Sequence, residues 1–165
     1  MKLYYFDSPI GNFGDDLNPW MWEKLLGDFD KYFEDKTFVG IGSVLDKRLN
    51  QNNNNIIAGA GVRNFNTDLN IDKCNFIFVR GPISSKALNN VPYITDGAYC
   101  LALLNEFEGD EIEKKHKCSI IPYFRHLNSL NWNNIAKDLG YNFIDITDPV
   151  EEVIKQIRES KRVIS

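Results

Sequence analysis

Short apolar runs alternate with stretches of helical spacing along the whole chain. The runs fall at 3–6, 37–41, 55–58, 76–80, 93–95, 118–123, 142–146 and 162–165. Most are β-branched or aromatic and carry no polar face, which suits strands covered on both sides. Helical spacing occupies 20–26, 82–88, 132–139 and 150–158. In the last of these, Val150, Val153, Ile154 and Ile157 share one face, and Asp148-Pro149 supplies a start signal. Strands alternating with helices predict an α/β protein with a Rossmann-like parallel sheet flanked by helices.

The alternation breaks once. Residues 105–117 are charged and nearly free of core residues, the composition of a linker. They divide a Rossmann-like amino-terminal domain, 1–104, from a strand–helix–strand–helix–strand unit, 118–165. That second unit reads as the opening of another doubly wound sheet. It stops inside an apolar strand, so it is expected to be incomplete. The polar tract 50–55 reads as a plain loop.

Composition narrows the partners. The 165 residues are 43% hydrophobic and 13% aromatic, as in an ordinary globular domain. A net charge of −4 and the lack of any lysine- or arginine-rich run argue against nucleic acid and anionic membrane. Cys74, Cys100 and Cys118 are odd in number, far apart and without a Cys-x-x-Cys pair, which reads as buried free thiols in a reducing compartment. His116 and His126 are the sole histidines, and no ligand spacing points to a metal. The run at 3–6 is too short for a signal peptide and no run approaches a membrane span, so a cytoplasmic location is expected. The oligomeric state stays open.

Candidate chemistry collects where strands should end. Gly11-Asn12-Phe13-Gly14-Asp15-Asp16-Leu17-Asn18-Pro19-Trp20 follows an apolar run and precedes a helix, as a ligand-facing loop does. Asn12 and Asn18 offer amides there, Asp15 and Asp16 carboxylates, and Gly14 a close backbone approach. Asn18-Pro19 is the expected helix cap and first helical residue. Two further strands end in Gly-x-Gly, placing Gly42 with Ser43, and Gly61, at the rim; tight turns and ligand contact are served equally well by such glycines. Arg80 closes a strand, Gly81 turns, and Pro82 opens a helix carrying Ser84 and Ser85. Guanidinium, helix amides and dipole together make an anion site. Asp96 sits at the next strand end, where it serves either a turn or the cleft. His126 follows Ile121-Pro122-Tyr123 as a surface or a site residue.

The segment 12–20 and Val79-Arg80-Gly81-Pro82 resemble the amino-terminal signatures of the polysaccharide pyruvyl transferase family. The glycine-ended strands, Asp96 and Ile121-Pro122 follow in the family's order. The resemblance implies the first half of a two-domain, glycosyltransferase-B-like architecture, truncated in its second unit. It implies pyruvyl transfer in exopolysaccharide biosynthesis, from phosphoenolpyruvate as donor substrate to paired hydroxyls of a saccharide acceptor, with no cofactor. Arg80, with Arg63 or Arg125, would hold the donor's phosphate and carboxylate. Asp15, Asp16 or Asp96 would hold or activate sugar hydroxyls, acid and base being unassigned. Tyr123 stands where the family often has histidine, and a Ser-x-x-His-Gly motif would begin near Val163-Ile164-Ser165, so its histidine falls outside these residues and the chain as it stands is expected to be inactive. Two other classes stay open: a nucleotide-sugar glycosyltransferase of the same architecture, and a non-catalytic sugar- or anion-binding module.

Overall fold

A computed structural model describes residues 2–27, 35–52, 54–104 and 112–165. Most of the expected linker, 105–111, lies outside them. The chain forms two compact units, one of Met1–Asp7 with Leu17–Phe107 and one of Ser8–Asp16 with Glu108–Ser165. The segment Ser8–Asp16 therefore belongs to the second unit, although it sits far upstream of the other residues of that unit.

In the first unit, β1 (Lys2–Leu3), β2 (Thr37–Val39), β3 (Asn55–Ala58) and β4 (Cys74–Phe78) form an all-parallel sheet in the order β1-β2-β3-β4. Tyr93 adds one parallel bridge to Val79, so the strand expected at 93–95 shrinks to a single rung. Among the described residues the order runs one way without reversal, so these four strands contain no topological switch point. Every residue of β2 and β3 is buried, as their unbroken apolar runs predict. β4 instead alternates half-buried and exposed positions, and Ile77 is 54% exposed. One face of that strand is open, a correction to the expectation of cover on both faces.

The core of this unit gathers Val39, Val44, Leu45, Leu49, Ile57 and Val79. Burying one such side chain contributes about 1.5–3 kcal/mol. The tract 50–55 is more than a loop. Asn55 is fully buried, and its amide donates to the carbonyls of Leu49 and Lys73 at 3.2 Å each, tying two connections to the head of β3.

Helix α1 runs Phe13–Leu26 and so begins well before the expected start at Pro19. The reason lies upstream. The amide of Asn12 donates to Asp16 Oδ2 at 2.8 Å, and Asp15 and Asp16 place two carboxylates on the positive end of the first turn. This cap precedes the Asn18-Pro19 signal and wins. Pro19 then lies inside the helix on its exposed side, while Leu17, Asn18, Met21 and Trp22 form the buried face.

The second unit holds β5 (Ser119–Ile120), α3 (Trp132–Leu139), β6 (Asn142–Phe143), α4 (Val150–Arg158) and β7 (Val163–Ile164), with the short α2 (Pro82–Ala87) having preceded them in the first unit. Its parallel strands run in the order β6-β5-β7. The chain moves outward once and then returns past β5, which is the reversal of a doubly wound sheet. Asn131 caps α3 through Asn134 N, and Gly140 closes it at φ 67 with its amide reaching Ala136 and Lys137. Ile121, Ile144 and Val153 form the core, with Phe13 packed against them.

Candidate functional site

At the carboxyl ends of β2, β3 and β4 the ladder continues into the loops. Gly61 N donates to Gly42 O at 2.9 Å, Gly59 N to Phe78 O at 3.0 Å, and Arg80 N to Ala60 O at 3.0 Å. Gly97 N reaches Gly59 O at 3.4 Å and brings the turn after Tyr93 onto the same rim. The rim is built from glycine because backbones meet there. A Cβ on Gly97 would run into Gly40 O, and one on Gly59 would come within 2.5 Å of Gly97 Cα. Gly59 also holds φ +103, a conformation that side chains rarely adopt. Gly40 and Gly97 were not anticipated as a pair. The signal was present as two Gly-ended apolar stretches, but their meeting depends on strand order.

Arg80 lies across Gly61. A Cβ on Gly61 would sit 2.8–2.9 Å from Nε, Cζ and Nη2 of the guanidinium. Nη2 donates to Val62 O at 3.3 Å, and Nη1 stands 3.9 Å from Asp96 Oδ2. Both side chains keep about a third of their surface in solvent, 36% and 31%. An ion pair this long and this wet is weak. The guanidinium is thus positioned but still has donors to give to a small anion.

The helix contributes less to that anion site than its sequence promised. α2 has six residues, its Gly81 cap makes no side-chain bond, and Pro82 has no N–H. Ser84 is nearly buried and its hydroxyl accepts from Val62 N at 3.2 Å, which fixes the loop after β3. Asp96 caps the following turn by accepting from Ala98 N at 2.9 Å while it faces Arg80. Gly42 (φ 106) and Ser43 are half-buried at the end of β2.

Asn18 turns out to be a buried strut. Its Oδ1 accepts from Ile41 N at 3.0 Å and from Trp22 Nε1 at 3.2 Å, and its Nδ2 donates to Ile41 O at 3.4 Å. This amide stitches α1 to the end of β2 from a position with no exposed surface.

Arg80, Asp96, Gly42, Ser43, Gly61, Gly81, Ser84 and Asn18 belong to the first unit, and Asn12, Gly14, Asp15, Asp16 and His126 to the second. Asn12 Nδ2 donates to Asp15 Oδ2, so amide and carboxylate hold each other. Gly14 has nothing within 4 Å of where a Cβ would stand, so packing does not demand glycine there. His126 is exposed, its ring edge-on to Tyr123 at 5.4 Å, and its carbonyl accepts from Trp132 Nε1. Arg125 lies over Phe124, 5.5 Å from the ring centroid. Arg63 lines a cavity of about 210 Å³ with Asp46, Lys47 and Arg48, and Arg80 is not among its walls. Arg48 grips Asp46 through Nε and Nη2 at 2.7–3.1 Å, and this holds the Asp46 carboxyl below its ordinary range. Among the described residues no three His, Cys, Asp or Glu side chains converge as metal ligands, and no helix is long and apolar enough to cross a membrane.

Across 171 aligned residues, covering its whole length, the chain is 33% identical to the succinoglycan biosynthesis protein ExoV of Rhizobium meliloti. The match takes in 53% of that protein, so the chain spans about half the length of the curated relative it matches. No family model and no solved structure matches the chain.

Proposed function

We propose that this protein is part of a polysaccharide pyruvyl transferase that moves an enolpyruvyl-derived group from phosphoenolpyruvate to two hydroxyls of one sugar. The observation that carries the reading is Arg80, a guanidinium about a third exposed, propped on Gly61, with one bond to Val62 O and a 3.9 Å pairing to Asp96. The match to a protein of succinoglycan biosynthesis supports a saccharide as the other substrate.

The chemistry sets what the residues must do. Both sugar oxygens bond to the central carbon of the donor, the phosphate ester bond breaks, and the methylene gains a proton to become methyl. Of the two hydroxyl protons, one balances that methyl and the other leaves with phosphate. A donor that carries both a phosphate and a carboxylate needs cations that do not reorganise as charge moves from enol to phosphate. Arg80 meets that need with its stem fixed by the ladder bond from its own amide to Ala60 O. Asp96, beside it, is placed to accept a hydrogen bond from a sugar hydroxyl. Asp15 and Asp16 remain candidates for the same task from the start of α1, where the open position of Gly14 leaves room for a ligand. In this reading the two units are parts of a glycosyltransferase-B-like enzyme working in the cytoplasm, where its donor is made.

Calorimetric titration of phosphoenolpyruvate tests the proposal, with Arg80→Ala alongside. Binding that falls tenfold or more in the variant is expected, since a charge-assisted contact is worth about 1.5–3 kcal/mol. Binding of uridine diphosphate in place of phosphoenolpyruvate would overturn it in favour of sugar-nucleotide chemistry.

A further inference from the structure

A groove of about 590 Å³ opens on the second unit, between the end of β6 and the start of α3. That volume lies within the range of small-molecule sites, roughly 300–1,000 Å³. Its walls carry Asn128, Asn131, Asn133, Thr147 and Asp145, and no lysine, arginine or histidine. An anion such as phosphoenolpyruvate finds no cation among these walls. The groove instead offers three carboxamides, each both donor and acceptor, beside the Thr147 hydroxyl and the Asp145 carboxylate.

Those groups are not used up within the protein. Asn128 and Asn133 make no side-chain hydrogen bond among the described residues. Asn131 uses only its Oδ1, for Asn134 N, so its amide donors remain. Asp145 takes the amide and hydroxyl of Thr147 on Oδ1 and keeps Oδ2. Carbon surface lies among them. Trp132 gives its Nε1–H to His126 O at 2.8 Å, so what its indole presents to the groove is hydrocarbon. Ile10 and Leu130 on the same wall are 56% and 55% exposed.

We infer that this groove binds a neutral saccharide. A pyranose has the matching chemistry: a ring of hydroxyls that each donate and accept, around a patch of C–H bonds that covers an indole or aliphatic surface. The inference rests on the groove alone and stands apart from the transferase reading.

Saturation-transfer NMR on the protein tests it, using the methyl glycosides of glucose, galactose and mannose with lactose and cellobiose. Transfer to at least one of these is expected, and it should drop at least fivefold in Asn128→Ala/Asn133→Ala. Both positions are exposed and make no side-chain hydrogen bond among the described residues, so that variant should keep the wild-type circular dichroism and melting temperature. Trp132→Ala should lose transfer as well. The inference is overturned if no neutral glycoside shows transfer, or if transfer survives the double substitution. Phosphoenolpyruvate titrated in parallel separates the two readings. Arg80-dependent donor binding without glycoside binding removes the groove and keeps the transferase; glycoside binding without donor binding keeps the saccharide site and counts against the transferase.

Discussion

Gly61→Ala should damage ligand binding while sparing the fold. The added methyl would stand 2.8–2.9 Å from three guanidinium atoms of Arg80, about half an ångström inside the 3.4 Å where ordinary contact begins. What it meets is the end of a flexible side chain, and Gly61 has no positive φ, so the backbone can stay. The guanidinium must move off its seat and release Val62 O. A bond from a charged donor is worth about 1.5–3 kcal/mol, but with 36% of the side chain in water the folded state should lose only about 0.5–1 kcal/mol. For a chain of this size that is a fall of roughly 1–4 °C in Tm. Phosphoenolpyruvate, which needs the guanidinium in place, should bind about tenfold or more weakly. Gly97→Ala is the contrast, since its Cβ would strike the backbone oxygen of Gly40, which cannot swing aside. That substitution should cost about 3 kcal/mol or more. Scanning fluorimetry and calorimetry on both variants decide the matter. If Gly61→Ala melts as early as Gly97→Ala, or binds donor with full affinity, the view that Gly61 seats Arg80 is wrong.

Two further outcomes follow from the same geometry. Asn18→Ala should lose about 2–4 kcal/mol in urea unfolding, because it strands Ile41 N–H and Trp22 Nε1–H among buried residues. The bidentate grip of Arg48 depresses the Asp46 carboxyl below its ordinary 3.8, so the unfolded chain binds that proton more tightly than the native one. The stabilisation is therefore complete above the ordinary value and fades as pH falls through the depressed one. Acid titration followed by circular dichroism should show a shallower loss of stability in Asp46→Asn than in the wild type.

Much of the first unit was legible because its central strands, β2 and β3, are covered. Residues 55–58 are apolar but for Asn55, and β3 occupies those same positions. Helices α3 and α4 also fall where their spacing places them, with distinct caps on each. The start of α1 was misread because two capping signals lie seven residues or fewer apart, and local chemistry alone does not rank them. Asn12 won through its bonds to Asp15 and Asp16, which left Asn18 to a long-range role that no local pattern encodes. The anion site was half legible. Arg80 is found where its motif placed it, but the short α2 weakens the dipole's share, and the seat on Gly61 depends on a pairing across strands. The groove was missed for another reason. Asn128, Asn131, Trp132 and Asn133 stand close in sequence, yet their composition resembles any polar loop until Asp145 and Thr147 are brought opposite.

The placement of Ser8–Asp16 bears on how the protein is made. Phe13 N bonds Ile146 O at 2.9 Å, and a Cβ on Gly11 would press on Thr147 O, so these residues wait for partners more than a hundred positions downstream. Chains are synthesised from the amino terminus and domains generally fold as they appear. Here the segment emerges well before the residues that it contacts, which raises contact order and delays closure of the second unit until 146–147 have been made. A cut at the charged tract would therefore release two damaged pieces: an amino-terminal one with a dangling loop, and a carboxyl-terminal one whose core lacks Phe13.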